Sequence, residues 1–216
     1  MKQKIFIIGF NKTATRSLTK IMLYNNFRAF QWGRETATKR FKNNIKNNVP
    51  LLTGYENYGC YADNEELIHN FKLLDKQYPN SIFIYNIRDI NDWICSRLNH
   101  MRSHGPLQYI KYYRRTKQLD GFYDKEIIQS WINDYNTHYT NVVTYFKNRP
   151  NFMIYDINKN TPQDLKKVLP SLKLMDKNPK ITNPVLPASI GKWKYINNEF
   201  VFIEPNNVES TYKFRL

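Results

Sequence analysis

Short blocks of uninterrupted apolar residues alternate along this chain with longer stretches in which apolar residues recur every three or four positions. Ile5 to Ile8 form the first block; Ile82-Phe83-Ile84-Tyr85-Asn86-Ile87 and Phe152-Met153-Ile154-Tyr155 are others. Such runs, bounded by polar residues, read as buried strands. Leu18, Ile21 and Met22 mark a helical face over 15–26, and Trp93, Ile94 and Leu98 mark another over 91–103. A long helix is predicted over 123–147 from Ile127, Ile128, Trp131, Ile132, Tyr135, Val142 and Phe146. The pattern also predicts a strand over 27–32, a partly helical polar stretch over 33–50, an extended piece at Leu51-Leu52-Thr53 and a helix over 64–77. Thr161-Pro162 has the chemistry of a helix start, with Thr as cap and Pro in the first turn. Strands alternating with helices imply a central parallel sheet flanked by helices, a three-layer α/β fold. Ligands of such sheets bind at the carboxyl ends of the strands.

The chain has 216 residues, of which 41% are hydrophobic, enough for one globular domain over 1–216 with a real core. Pro179, Pro184 and Pro187 mark residues from about 180 onward as an irregular loop. A hairpin is predicted beyond it, with Asn197-Asn198 as the turn between Lys194-Tyr195-Ile196 and Glu199 to Ile203. Repeats, long linkers and low-complexity blocks are absent from the sequence. No run approaches the roughly 18 apolar residues of a membrane span, and Ile5 to Ile8 is too short for a signal peptide. The expectation is a cytoplasmic protein with free thiols at Cys60 and Cys95. His69, His100, His104 and His138 are scattered, and no Cys/His cluster has metal-site spacing, so no metal is expected. Abundant Asn, Lys, Ile and Tyr suit an AT-rich genome: a phage, a virus or a low-GC microbe.

The most informative stretch is Gly9-Phe10-Asn11-Lys12-Thr13-Ala14-Thr15-Arg16-Ser17-Leu18. It runs from the first strand into the first helix. Free N–H groups and the helix dipole favour an anion at such a junction. Lys12 adds a point charge, and Thr13, Thr15 and Ser17 add hydroxyl donors. The nucleotide-triphosphate loop is Gly-x-x-x-x-Gly-Lys-Ser/Thr; here Lys12 follows Gly9 by three residues, and Ala14 stands where a second glycine would be. The spacing instead resembles the 5′-phosphosulfate loop of sulfotransferases, which use 3′-phosphoadenosine 5′-phosphosulfate (PAPS). A second match lies at Arg88-Asp89 after the strand 82–87, with Ser96 on the next helix. In the family these positions hold the 3′-phosphate, and a guanidinium fork suits phosphate oxygens. The family's usual proline after Arg-Asp is Ile90 here. Tyr78-Pro79 resembles the turn before that strand, and Gly191-Lys192-Trp193 resembles a C-terminal segment that closes over the nucleotide. The resemblance implies a P-loop-like sulfotransferase fold and a PAPS co-substrate.

It also implies site residues. Asn11, Lys12, Thr13, Ala14, Thr15, Arg16, Ser17, Arg88, Ser96, Lys192 and Trp193 would bind PAPS, with Lys12 also stabilising the leaving phosphate. A general base must reach the acceptor. Asp63 is the first candidate, although an Asp before a helix is also a good N-cap. Glu35 and Glu56 follow, and His100 comes after them. The acceptor, a hydroxyl- or amine-bearing glycan, lipid, small molecule or protein tyrosine, is left open, with loops 33–63 and a lid over 105–121 expected to shape its pocket. Two alternatives stand beside this reading. The net charge of +15, with Lys39-Arg40-Phe41-Lys42 and Lys111-Tyr112-Tyr113-Arg114-Arg115, allows a nucleic-acid-binding protein. A small nucleotide kinase is the other; the missing Gly-Lys-Ser/Thr order argues against it.

Overall fold

The structure, a computed structural model, describes residues 3–103, 125–173, 192–203 and 209–214. The expected lid over 105–121, the prolines from 179 to 187 and Gly191 lie outside the described residues. The chain divides into two compact units, Met1–Arg88 with His138–Ile181, and Asp89–Thr137 with Thr182–Leu216.

The first unit is built on a five-stranded parallel sheet: β1 (Ile5–Ile7), β2 (Ala29–Gln31), β3 (Cys60–Ala62), β4 (Ile82–Ile87) and β5 (Phe152–Asp156). Their order is β2-β3-β1-β4-β5. Burial on both faces explains the unbroken apolar runs. Ile5 and Ile7 point to one face, packing with Ile82, Ile84 and with Leu18, Ile21 and Met22 of helix α1 (Thr15–Tyr24). Phe6 and Ile8 point to the other, among Phe30, Phe41, Tyr61, Phe83, Val142 and Phe146. That second core is aromatic-rich; Phe6 stacks on Tyr61 and Phe83 at ring-centroid distances of 5.4 and 5.1 Å. Helix α2 (Arg34–Lys46) contributes Phe41 to it.

Several expectations change here. Strand β3, which the apolar pattern did not single out, lies inside the sheet between β2 and β1: only three residues long, it begins with Cys60 and reads as part of a polar loop. Leu51-Leu52-Thr53 is a turn rather than an extended piece, with both leucines fully buried. The helix over 64–77 is two helices, α3 (Glu65–His69) and α4 (Phe71–Gln77). The break is at Asn70, whose side-chain amide donates to Glu66 O at 2.8 Å and so competes with the backbone ladder. Thr161-Pro162 starts a 3-10 helix, Pro162–Lys167, through a capping box with Asp164.

In the second unit, helix α5 (Ile90–Ser103) packs on the first part of helix α6 (Lys125–Tyr145) through Trp93, 4.8 Å from Tyr135 between ring centroids. Arg97 lies 4.3 Å over the Trp131 ring. The hairpin forms, and a third strand joins it: β6 (Lys192–Ile196), β7 (Glu199–Ile203) and β8 (Glu209–Phe214) make an antiparallel sheet. Asn197 and Asn198, at φ 49° and 63°, supply the tight turn that two left-handed residues allow.

Candidate functional site

The loop after β1 is held by a residue whose role the sequence reading missed. Asn86 is a polar interruption in the otherwise apolar β4 and is 1% exposed. Its Oδ1 accepts from Gly9 N at 2.9 Å; its Nδ2 donates to Thr13 O and to Thr13 Oγ1, each at 2.7 Å. Gly9 is required because the strands come so close: a Cβ there would sit 2.6 Å from Asn86 Cγ, and nearer still to the amide and backbone oxygens of Asn86. The Thr13 hydroxyl donates in turn to Phe10 O and is fully buried. It therefore serves the loop, and only the Thr13 backbone N–H remains for an anion.

Lys12 and Ala14 both have left-handed backbones, at φ 68° and 65°. Alternation of this kind turns successive N–H groups toward one concavity, a form suited to anions. Ala14 is the N-cap of α1, and no side chain caps the helix or places an acid in its first turn. The start of α1 is thus a helix N-terminus with its dipole uncompensated. Asn11, Lys12 and Ser17 are half-buried around it, Thr15 is buried at its first position and Arg16 is exposed.

Asp63 lies at the same end of the sheet, directly after β3 and left-handed at φ 60°. It does not cap the next helix. Asn64 does, its Oδ1 accepting from Glu66 N at 3.2 Å. Withdrawal from water pushes the Asp63 carboxyl up to about 6, against a hydrogen bond from Gln31 and the nearby charges of Lys12 and Arg16, which pull it down. Loop, carboxylate and cation are therefore neighbours. Arg88 follows β4 at that end as well, immediately before Asp89, whose Oδ1 accepts from Asn91 N and Asp92 N at 3.0 and 3.1 Å.

The two glutamates have other surroundings. Glu35, in the first turn of α2, is 80% exposed and pairs with Lys39 at 3.0 Å. Glu56 is at the opposite end of the sheet, because the segment leading into β3 runs along the amino-terminal edge. There its backbone carbonyl accepts from Lys4 Nζ at 2.9 Å and its Oε2 from Gly54 N at 2.8 Å, beside a cleft of about 700 Å³. Ser96 and His100 lie on α5, and Lys192 and Trp193 on β6, all in the second unit. Cys60 and Cys95 are buried free thiols.

Residues 2–177 match the family described as Sulfotransferase domain. The chain belongs to the sulfotransferase family. No match is found among curated proteins. The family match ends before β6, so Lys192 and Trp193 fall outside it. Ile90, where many sulfotransferases have proline, is the first residue of α5; that position tolerates proline but does not need it. Among the described residues no cluster of His, Cys, Asp or Glu is arranged as a metal site, and no helix is long and apolar enough to cross a membrane.

The sulfotransferase's loop is also braced from below by His138. Its Nε2 is 2.9 Å from Ile8 O, and the ring is 4% exposed among Phe10, Phe71 and Tyr85. Burial lowers its pKa from 6.5 to about 4, so the ring is neutral and donates that bond. A histidine depressed in the fold contributes stability that is complete above 6.5 and lost as pH falls toward 4. Acid unfolding between those values is expected to carry about 3 kcal/mol from this group. Thermal melts of wild type and His138→Gln from pH 7 to 4 check it: the variant's melting temperature should depend less steeply on pH.

Proposed function

We propose that this sulfotransferase takes its sulfuryl group from PAPS and passes it to a hydroxyl or amine of an acceptor. The observation that carries the reading is the uncapped start of α1, with left-handed Lys12 and Ala14, beside an Asp63 carboxyl that feels the Lys12 charge. When bound, PAPS supplies a sulfuryl group already activated by a phosphate leaving group. The N–H groups of residues 13–17, with Ser17 Oγ, would hold its 5′-phosphate. Arg88 would pair with its 3′-phosphate. Asp63 takes the acceptor proton as the acceptor oxygen or nitrogen bonds to sulfur. The sulfur–oxygen bond to phosphate breaks, and Lys12 faces the negative charge that grows there. Asp63 is preferred over Glu35 and Glu56 because it alone of the three is both desolvated and close to Lys12.

Calorimetry with 3′,5′-adenosine bisphosphate tests the donor. Wild type should bind it in the absence of metal and at least tenfold more tightly than ADP. Arg88→Ala should weaken it by about 10- to 100-fold, the weight of a charge-assisted bidentate contact. Equal affinity for ADP, or an unaffected variant, would overturn the assignment.

A further inference from the structure

Trp32 is 60% exposed, more than any other large hydrophobic residue among those described. It is held there by a costly backbone. Gly33 N donates to Gln31 O at 2.7 Å, closing a three-residue turn around Trp32 at φ 63°. This is the strained form of the γ-turn, uncommon for a bulky side chain. Both faces of the residue's backbone are then pinned to the exit of β3: Trp32 N donates to Ala62 O at 3.1 Å, and Asn64 Nδ2 donates to Trp32 O at 2.9 Å. Asn64 is 1% exposed, so this anchor is built into the core. Since Gln31 pairs with Ala62 in the parallel register, Trp32 and Asp63 are the next positions side by side, about one strand spacing apart. Both are left-handed. Packing alone would bury an indole or place Gly or Asn at such a turn. Here the fold spends strain to stand an aromatic face in water next to the candidate base.

We propose that Trp32 is the stacking platform for a saccharide acceptor, seating a sugar ring so that one of its hydroxyls faces Asp63. The proposal rests on the reading of Asp63 as the base. An open indole with polar neighbours suits a pyranose. One face of such a ring offers C–H groups to an aromatic surface, while its rim carries hydroxyls for groups such as half-buried Gln31 and exposed Arg34. A flat phenol would instead call for an enclosed apolar slot covering most of its surface.

The test uses the full chain saturated with 3′,5′-adenosine bisphosphate. Saturation-transfer NMR would follow chitotetraose, a heparosan tetrasaccharide and 2-naphthol as probes, in wild type, Trp32→Ala and Trp32→Phe. At least one saccharide should bind wild type, about tenfold more weakly in Trp32→Ala and within about threefold in Trp32→Phe. Affinity for 3′,5′-adenosine bisphosphate should be the same in all three, which shows that the variants are folded. Binding of that nucleotide with no saccharide response, a stronger response from 2-naphthol, or saccharide binding unchanged in Trp32→Ala would overturn the platform alone. A wild type that fails to bind the nucleotide overturns the donor reading instead.

Discussion

Gly9→Ala is expected to abolish binding of 3′,5′-adenosine bisphosphate and to cost about 3 kcal/mol of stability. The added methyl has nowhere to go, because Asn86 fills the space from both its backbone and its side chain. Overpacking at a rigid contact costs about 1–3 kcal/mol. Displacing Asn86 also breaks its bonds to Gly9 N, Thr13 O and Thr13 Oγ1, leaving buried polar groups unpaired. The loop then loses the frame that holds Lys12 and Ala14 left-handed. Thermal unfolding together with calorimetry measures both effects. Asn86→Ala should reproduce the loss of binding, and the double variant should fall well short of the sum of the two, since both changes break one network. A Gly9→Ala protein that melts within 2 °C of wild type and still binds the nucleotide would show that the contact is not rigid.

Asp63→Asn is expected to lower kcat by about 10²- to 10⁴-fold, the usual weight of a positioned general base. The wild-type rate should rise with pH through about 6, where burial sets this carboxyl, because only the ionised form accepts a proton. The sign follows from the cause. Desolvation disfavours the charged form and raises the pKa, so activity is lost as pH falls below 6 and retained above it. The rising limb should vanish in Asp63→Asn, while KD for 3′,5′-adenosine bisphosphate changes less than about threefold. Glu35→Gln and Glu56→Gln should stay within about twofold of wild type, since one is paired in solvent with Lys39 and the other stands at the far end of the sheet. A large loss in either glutamate variant with Asp63→Asn active would reassign the base.

The parts of this sulfotransferase legible in its sequence were those written in contiguous residues. The apolar runs at Ile5 to Ile8 and Ile82 to Ile87 forced buried parallel strands. Gly9 marked the end of β1 and the turn into α1, and Arg88 the exit of β4 at the same sheet end. The two-residue Asn197-Asn198 turn was legible for the same reason: left-handed turn chemistry is local. Tertiary structure decided what depends on distant residues. Cys60-Tyr61-Ala62 has too little pattern to read as a strand; it becomes one because β1 and β2 flank it and satisfy its backbone. That pairing sets Asp63 beside Trp32 and within reach of Lys12, sends Glu56 to the opposite edge, and transfers the capping of α3 to Asn64. The pairing of β1 with β4 in turn brings Asn86 to the Thr13 hydroxyl, 73 positions away in the chain. Periodicity and turn chemistry act over a few residues and are printed in order along the chain. Which carboxylate loses its water, and which hydroxyl is already spent, depends on strand order, which no local pattern encodes.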